Sequence, residues 1–111
     1  MELTDENMIR LLSDVKTYLN ITWHDEAKEA QLKLFIKSSI AKLESIYGYS
    51  LSFVDIDPNS KYANAENLAY ELLLPRVFYM NEKALDDFES NYTSELLKLY
   101  RYGQVRSHAE Q

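Results

Sequence analysis

The chain has 111 residues, a formal net charge of −6, a sequence pI near 4.8 and no cysteine. Its length predicts one domain able to bury roughly two-thirds of its unfolded surface. The lack of Cys excludes disulfides, thiolate zinc sites and a Cys nucleophile, and the acidic balance argues against gripping a nucleic-acid backbone, which needs clustered Lys and Arg.

Two Gly and two Pro are few for a β-sandwich or barrel, so an all-α fold is expected: a compact bundle of about four helices with a long loop between the second and third. Residues 4–19 are expected as the first helix. Thr4 or Asp5 can cap it, and Asp5 and Glu6 suit the positive end of its dipole. Met8, Leu11 or Leu12, Val15, Tyr18 and Leu19 form its stripe. Residues 20–24 make a short connection. Its Ile21 and Trp23 are too apolar to leave in water, so both are expected to plug the core beneath the turn.

Residues 25–47 are expected as the second helix, capped by Asp25. Leu32, Ile36, Ile40, Leu43 and Tyr47 follow at steps of 4, 4, 3 and 4, and Phe35 and Ile46 widen that face. Gly48 occupies the left-handed position past its end. Residues 49–63 show weak alternation at Leu51, Phe53 and Ile56, then a strong turn at Asp57-Pro58-Asn59-Ser60. They are expected as a long loop with a short extended piece.

Residues 64–84 are expected as the third helix, with Leu68, Leu72 and either Leu73 or Arg76 facing inward. Pro75 removes the bond to the Glu71 carbonyl and disfavours helical geometry at Leu74, which predicts a kink or a split. The fourth helix, 86–101, adjoins the strongest stripe: Leu85, Phe88, Tyr92, Leu96 and Leu99 at steps of 3, 4, 4 and 3. Gly103 is expected to end it. Residues 104–111 then form a flexible polar tail, leaving 1–103 as the single domain. The expected core is Leu11, Val15, Leu19, Trp23, Ile36, Ile40, Leu43, Leu72, Phe88, Tyr92, Leu96 and Leu99.

No chemical machine is legible. His24-Asp25-Glu26 lies at a helix start, where neighbouring side chains diverge, so no metal site is expected. Asp86-Asp87 and Asp55/Asp57 fit solvated faces better than paired catalytic acids. There is no phosphate-cradling glycine loop, no nucleophile elbow and no HExxH. Nothing calls for a cofactor. The first two helices could mimic a helix-turn-helix, but the second begins Asp-Glu and lacks base-reading side chains. No run of about 18 apolar residues predicts a membrane span, and the opening MELTDENM lacks a signal-peptide core.

Two blocks carry a resemblance. Leu3-Thr4 followed by Val15-Lys16-x-Tyr18-Leu19-x-Ile21-Thr22-Trp23-x-Asp25 is similar to the opening of small head–tail connector proteins of tailed phages and prophages. Glu71-Leu72-Leu73 and Ala84-Leu85-x-x-Phe88-x-x-Asn91-Tyr92-x-x-Glu95-Leu96-Leu97-x-Leu99 resemble their second half. The order and separation of the blocks cover the chain from about Leu3 to about Leu99. Pro75 departs from the pattern, and the loop and tail match nothing specific.

The resemblance implies an all-α head-completion protein without enzymatic activity. Such proteins form a homo-oligomeric ring matching the twelvefold portal, extend its channel and offer a platform to the next connector or tail protein. DNA would be a passing, non-specific occupant, and the place of action would be the head–tail junction of the virion, after assembly in the bacterial cytoplasm. The alternative is a small helical adaptor or transcriptional regulator binding protein or DNA.

Partner contacts are expected from the loop and the tail, through Tyr49, Leu51, Phe53, Val54, Tyr62, Tyr102 and Arg106. The competing expectation is that Leu51 and Phe53 fold back and cap the bundle.

Overall fold

The apolar stripes fold into five helices: α1 (Asp5–Tyr18), α2 (Glu26–Tyr47), α3 (Ala63–Asn81), α4 (Leu85–Asn91) and α5 (Thr93–Ala109). This computed structural model describes residues 3–110, and no strand occurs among them. The first two positions of the expected domain and the last residue of the expected tail lie outside the described residues.

Local signals set the helix ends. The Thr4 hydroxyl accepts from the Asn7 N–H at 3.1 Å, so Thr4 caps α1 rather than Asp5. The Asp25 carboxylate accepts from the Lys28 N–H at 3.2 Å and starts α2. Gly48, at φ 89°, closes α2 by donating to the Glu44 carbonyl at 2.7 Å.

α2 packs against α1, α3 and α5. Its whole predicted stripe is buried, from Leu32 through Tyr47. α3 is enclosed on several sides: Ala69, Leu72, Leu73, Pro75, Arg76 and Val77 are all buried, so both candidates for its inner face are correct. A helix apolar around most of its circumference belongs in the interior. α3 also runs unbroken through Pro75, so the expected split does not occur.

The fourth expected helix is two helices. The Thr93 hydroxyl donates to the Glu89 carbonyl at 2.7 Å and to the Ser90 carbonyl at 3.1 Å, competing with the backbone ladder where α4 ends. Tyr92, at φ −112° and ψ 20°, joins the two pieces. Phe88 and Leu99 are buried, while Tyr92 and Leu96 are half-buried against the core.

Gly103 does not end the helix. It lies buried inside α5, which continues to Ala109, so residues 104–109 are helical rather than a flexible tail. A Cβ at Gly103 would run into the backbone carbonyl of Tyr47, so Gly is needed for the close approach of α5 to the end of α2.

Trp23 is not a core plug: it is 58% exposed. The space beneath the connection is taken by Leu19 and Ile21, which pack half-buried on the core, and Asn20 turns the chain at φ 59°. Tryptophan emission of the native protein should therefore lie near that of solvent-exposed indole. A large red shift on denaturation would contradict this placement.

Tyr70 joins α3 to α1 by donating its hydroxyl to the Asp14 carboxylate at 2.9 Å. Burial, followed by that carboxylate, raises its pKa to about 12. The folded state favours the neutral phenol. Its contribution is complete below the ordinary tyrosine pKa of about 10 and is lost as pH rises from there through about 12. Ultraviolet phenolate titration should show a late-titrating tyrosine that Asp14→Asn moves earlier. Because burial also raises the pKa of Tyr92, the outcome that would contradict the assignment is a Tyr70→Phe chain whose late titration is no smaller than that of the wild type.

Candidate functional site

The loop between α2 and α3 folds back on the bundle. Leu51 and Phe53 are buried, so they are not available to a partner, contrary to the interface expectation. The Glu44 carboxylate accepts from the Leu51 N–H at 2.7 Å, and Glu66 accepts from the Ser52 N–H at 3.2 Å and from its hydroxyl at 3.0 Å. Phe53 at φ 58° and Asp55 at φ 50° take the left-handed backbone that such side chains seldom adopt. A two-pronged ion pair from Arg10 to Asp55, at 2.7 and 2.9 Å, fastens the loop to α1. Val54 and Tyr49 remain half-buried.

The other expected interface residues converge, with partners inside the chain. The Arg106 guanidinium lies 3.9 Å from the Tyr62 ring centre, 4.2 Å from that of Tyr49 and 5.8 Å from that of Tyr47. Its Nη1 donates to the Tyr47 hydroxyl at 3.3 Å, and its Nε to Glu110 at 3.2 Å. The Tyr62 hydroxyl donates to the same Glu110 oxygen at 2.7 Å, which together with Arg106 holds that carboxyl below its ordinary range. Tyr102 lines a cavity of about 160 Å³ beside them. Arg106 thus bolts the loop to the C-terminal helix and presents a tyrosine-rich end.

A second feature lies between α2 and α4, whose backbones bring no Cα pair within 8 Å although α3 packs against both. Two cavities occupy the resulting cleft. One, of about 550 Å³, lies among Phe35, Met80, Leu85 and Asp87. The other, of about 290 Å³, is walled by Ile46, Phe88 and Leu96, with Lys42, Glu89 and Arg76 as its charged groups.

Arg76 is 6% exposed. Its Nη1 donates to the Ser39 hydroxyl at 2.8 Å and the Ser38 hydroxyl at 3.5 Å, and lies 3.2 Å from the Met80 sulfur. No carboxylate of the described residues comes within ion-pair distance of it. Burial pushes its pKa down, with Glu89 opposing from longer range, yet a guanidinium stays charged. A buried cation held only by neutral acceptors is costly. The sequence held only part of the signal: Arg76 is one of the two residues offered for an inward face of α3.

Exposed apolar side chains form the third feature, and neither stripes nor spacing pointed to them. Leu97, Tyr100 and Val105 lie on the outer side of α5, with Val105 67% exposed. Tyr18 and Phe78 meet edge to face at 6.4 Å on another surface.

Several of the expected chemistry candidates, His24, Asp25, Asp55 and Asp57, have structural partners. His24 Nδ1 lies 2.6 Å from Glu29, which Lys16 also approaches at 3.5 Å. Asp57 accepts from the Asn59 N–H at 2.9 Å within its turn. Among the described residues no group of three or more His, Cys, Asp or Glu is placed to hold a metal, and no helix is long and apolar enough to cross a membrane. Compared with known family models, curated proteins and solved structures, the chain matches none.

Proposed function

We propose that the chain is a structural head–tail connector of a tailed phage or prophage. It would form a homo-oligomeric ring beneath the portal, extend the DNA channel and carry the next connector or tail protein. The observation that carries this reading is the outer face of α5. Leu97, Tyr100 and Val105 stand in water there although the inner face of the same helix already closes the core through Leu99 and Gly103. Exposed apolar side chains set among Ser94, Arg101, Gln104 and His108, on a helix whose inner face already serves the core, are available to a neighbouring molecule.

The two blocks of the resemblance support it from another direction. The first runs from α1 to the cap of α2, and the second includes α4 and the start of α5. With Leu51 and Phe53 buried, the contacts to portal and neighbours fall to helix faces and to the tyrosine-rich end around Arg106. The acidic net charge suits a channel that lets DNA slide.

Ring subunits join through a heterologous interface, in which one patch meets a different patch on the next copy. Native mass spectrometry over a concentration series should show monomers or closed rings. A stable two-fold dimer with no larger species would overturn the ring and favour an adaptor.

A further inference from the structure

We infer that the cavity over Arg76 is the socket for a carboxylate side chain of a second copy of this chain. The inference rests on the ring reading and adds to it the place and chemistry of one subunit contact.

The guanidinium is pre-positioned for such a guest. Nη1 alone is engaged, by Ser39 and Ser38 and beside Met80. Nε and Nη2 donate to no acceptor among the described residues. Arg76 lines the cavity and keeps 6% of its surface exposed, so the residue is not wholly sealed from it. The side of the guanidinium left open is the edge that grips a carboxylate with two parallel hydrogen bonds.

The surroundings select a carboxylate on a short apolar stem. Ile46, Phe88 and Leu96 would cover the methylene groups of Asp or Glu, and Lys42 adds a second positive charge. A free phosphate would meet those apolar walls with most of its oxygens unsatisfied. Glu89 lines the same cavity and acts on Arg76 only from longer range, so no carboxylate of the described residues pairs directly with the guanidinium.

A second copy is the matching source. The chain carries 18 Asp and Glu against 12 Lys and Arg, so its surface is rich in the required group. A neighbour's anion at this cation would recover on assembly a cost that the monomer bears alone.

The test compares the wild-type chain with Arg76→Met and Lys42→Gln. Sedimentation velocity reads self-association, alone and on portal rings, and thermal melting reads the stability of the monomer. Nitrogen-15 NMR of the arginine Nε signals, titrated with acetate and separately with inorganic phosphate, reads the socket itself.

Arg76→Met should weaken self-association by about thirtyfold or more while raising the monomer melting temperature by about 4 °C or more. Lys42→Gln should weaken association less and leave the melt unchanged. Acetate should shift the Arg76 signal and phosphate should not. An Arg76→Met chain that melts lower, or fails to fold, makes Arg76 a structural residue and overturns the proposal. So does undiminished association, or a response to phosphate alone. If the wild-type chain never associates with itself, alone or on portal, the ring reading fails. An acetate shift would then show a carboxylate socket whose occupant is not a second copy, and the proposal falls with the ring.

Discussion

Gly103→Ala should destabilise the chain by about 3 kcal/mol, at the upper end of the usual cost of overfilling a packed interior. The added methyl would meet the carbonyl oxygen, the carbonyl carbon and the Cα of Tyr47. All three are backbone atoms, so no side-chain rotation relieves the clash. α5 would have to move off the end of α2 and carry Arg106 away from Tyr47, Tyr49 and Tyr62. Gly48→Ala is the informative contrast. Its Cβ meets nothing within 4 Å, and the cost there is the left-handed backbone at φ 89°, about 1 kcal/mol. Urea unfolding followed by circular dichroism measures both. A Gly103→Ala midpoint equal to that of the wild type would mean that α5 does not cross α2 as described.

Phe88→Ala should cost about 3–5 kcal/mol. α4 has only seven residues, and Phe88 is the one it buries. The ring stacks on Tyr92 at 4.9 Å with an interplanar angle of 23°, and meets Tyr79 at 6.0 Å. It also walls the cavity above Arg76. Its loss would open that cavity further and release α4 from α3. Near-ultraviolet circular dichroism should lose aromatic signal while most far-ultraviolet helix signal remains at low temperature. A loss below about 1 kcal/mol would place Phe88 outside the core.

The features legible in the sequence are those set by neighbours along the chain. Thr4, Asp25 and Gly48 act through hydrogen bonds and backbone angles within a turn, so residue type and position suffice. The α2 stripe is equally plain because one face of that helix does most of its packing. What stayed hidden depends on distant partners. Gly103 has the composition of a helix stop, yet its role is set by Tyr47, far away in sequence. Trp23 is apolar enough for the core, but Leu19 and Ile21 already fill the space. The break after Asn91 arises from the Thr93 hydroxyl, which an apolar stripe does not register. The loop was legible only as a choice, and the carboxylates of Glu44 and Glu66 decide it by drawing Leu51 and Ser52 inward.

The candidate site was half legible. Tyr49, Tyr62, Tyr102 and Arg106 do gather at one end, because α5 continues past Gly103 and brings Arg106 to the loop. The socket over Arg76 requires knowing that α2 and α4 stand apart with α3 beneath them, which no local pattern states.

Electron microscopy of the purified chain mixed with a portal protein encoded in the same genome tests the proposed connector role most directly. A closed ring of added density beneath the portal, coaxial with its channel, is expected. Bare portals beside monomers or two-fold dimers, at concentrations well above those of assembly, would contradict the connector assignment.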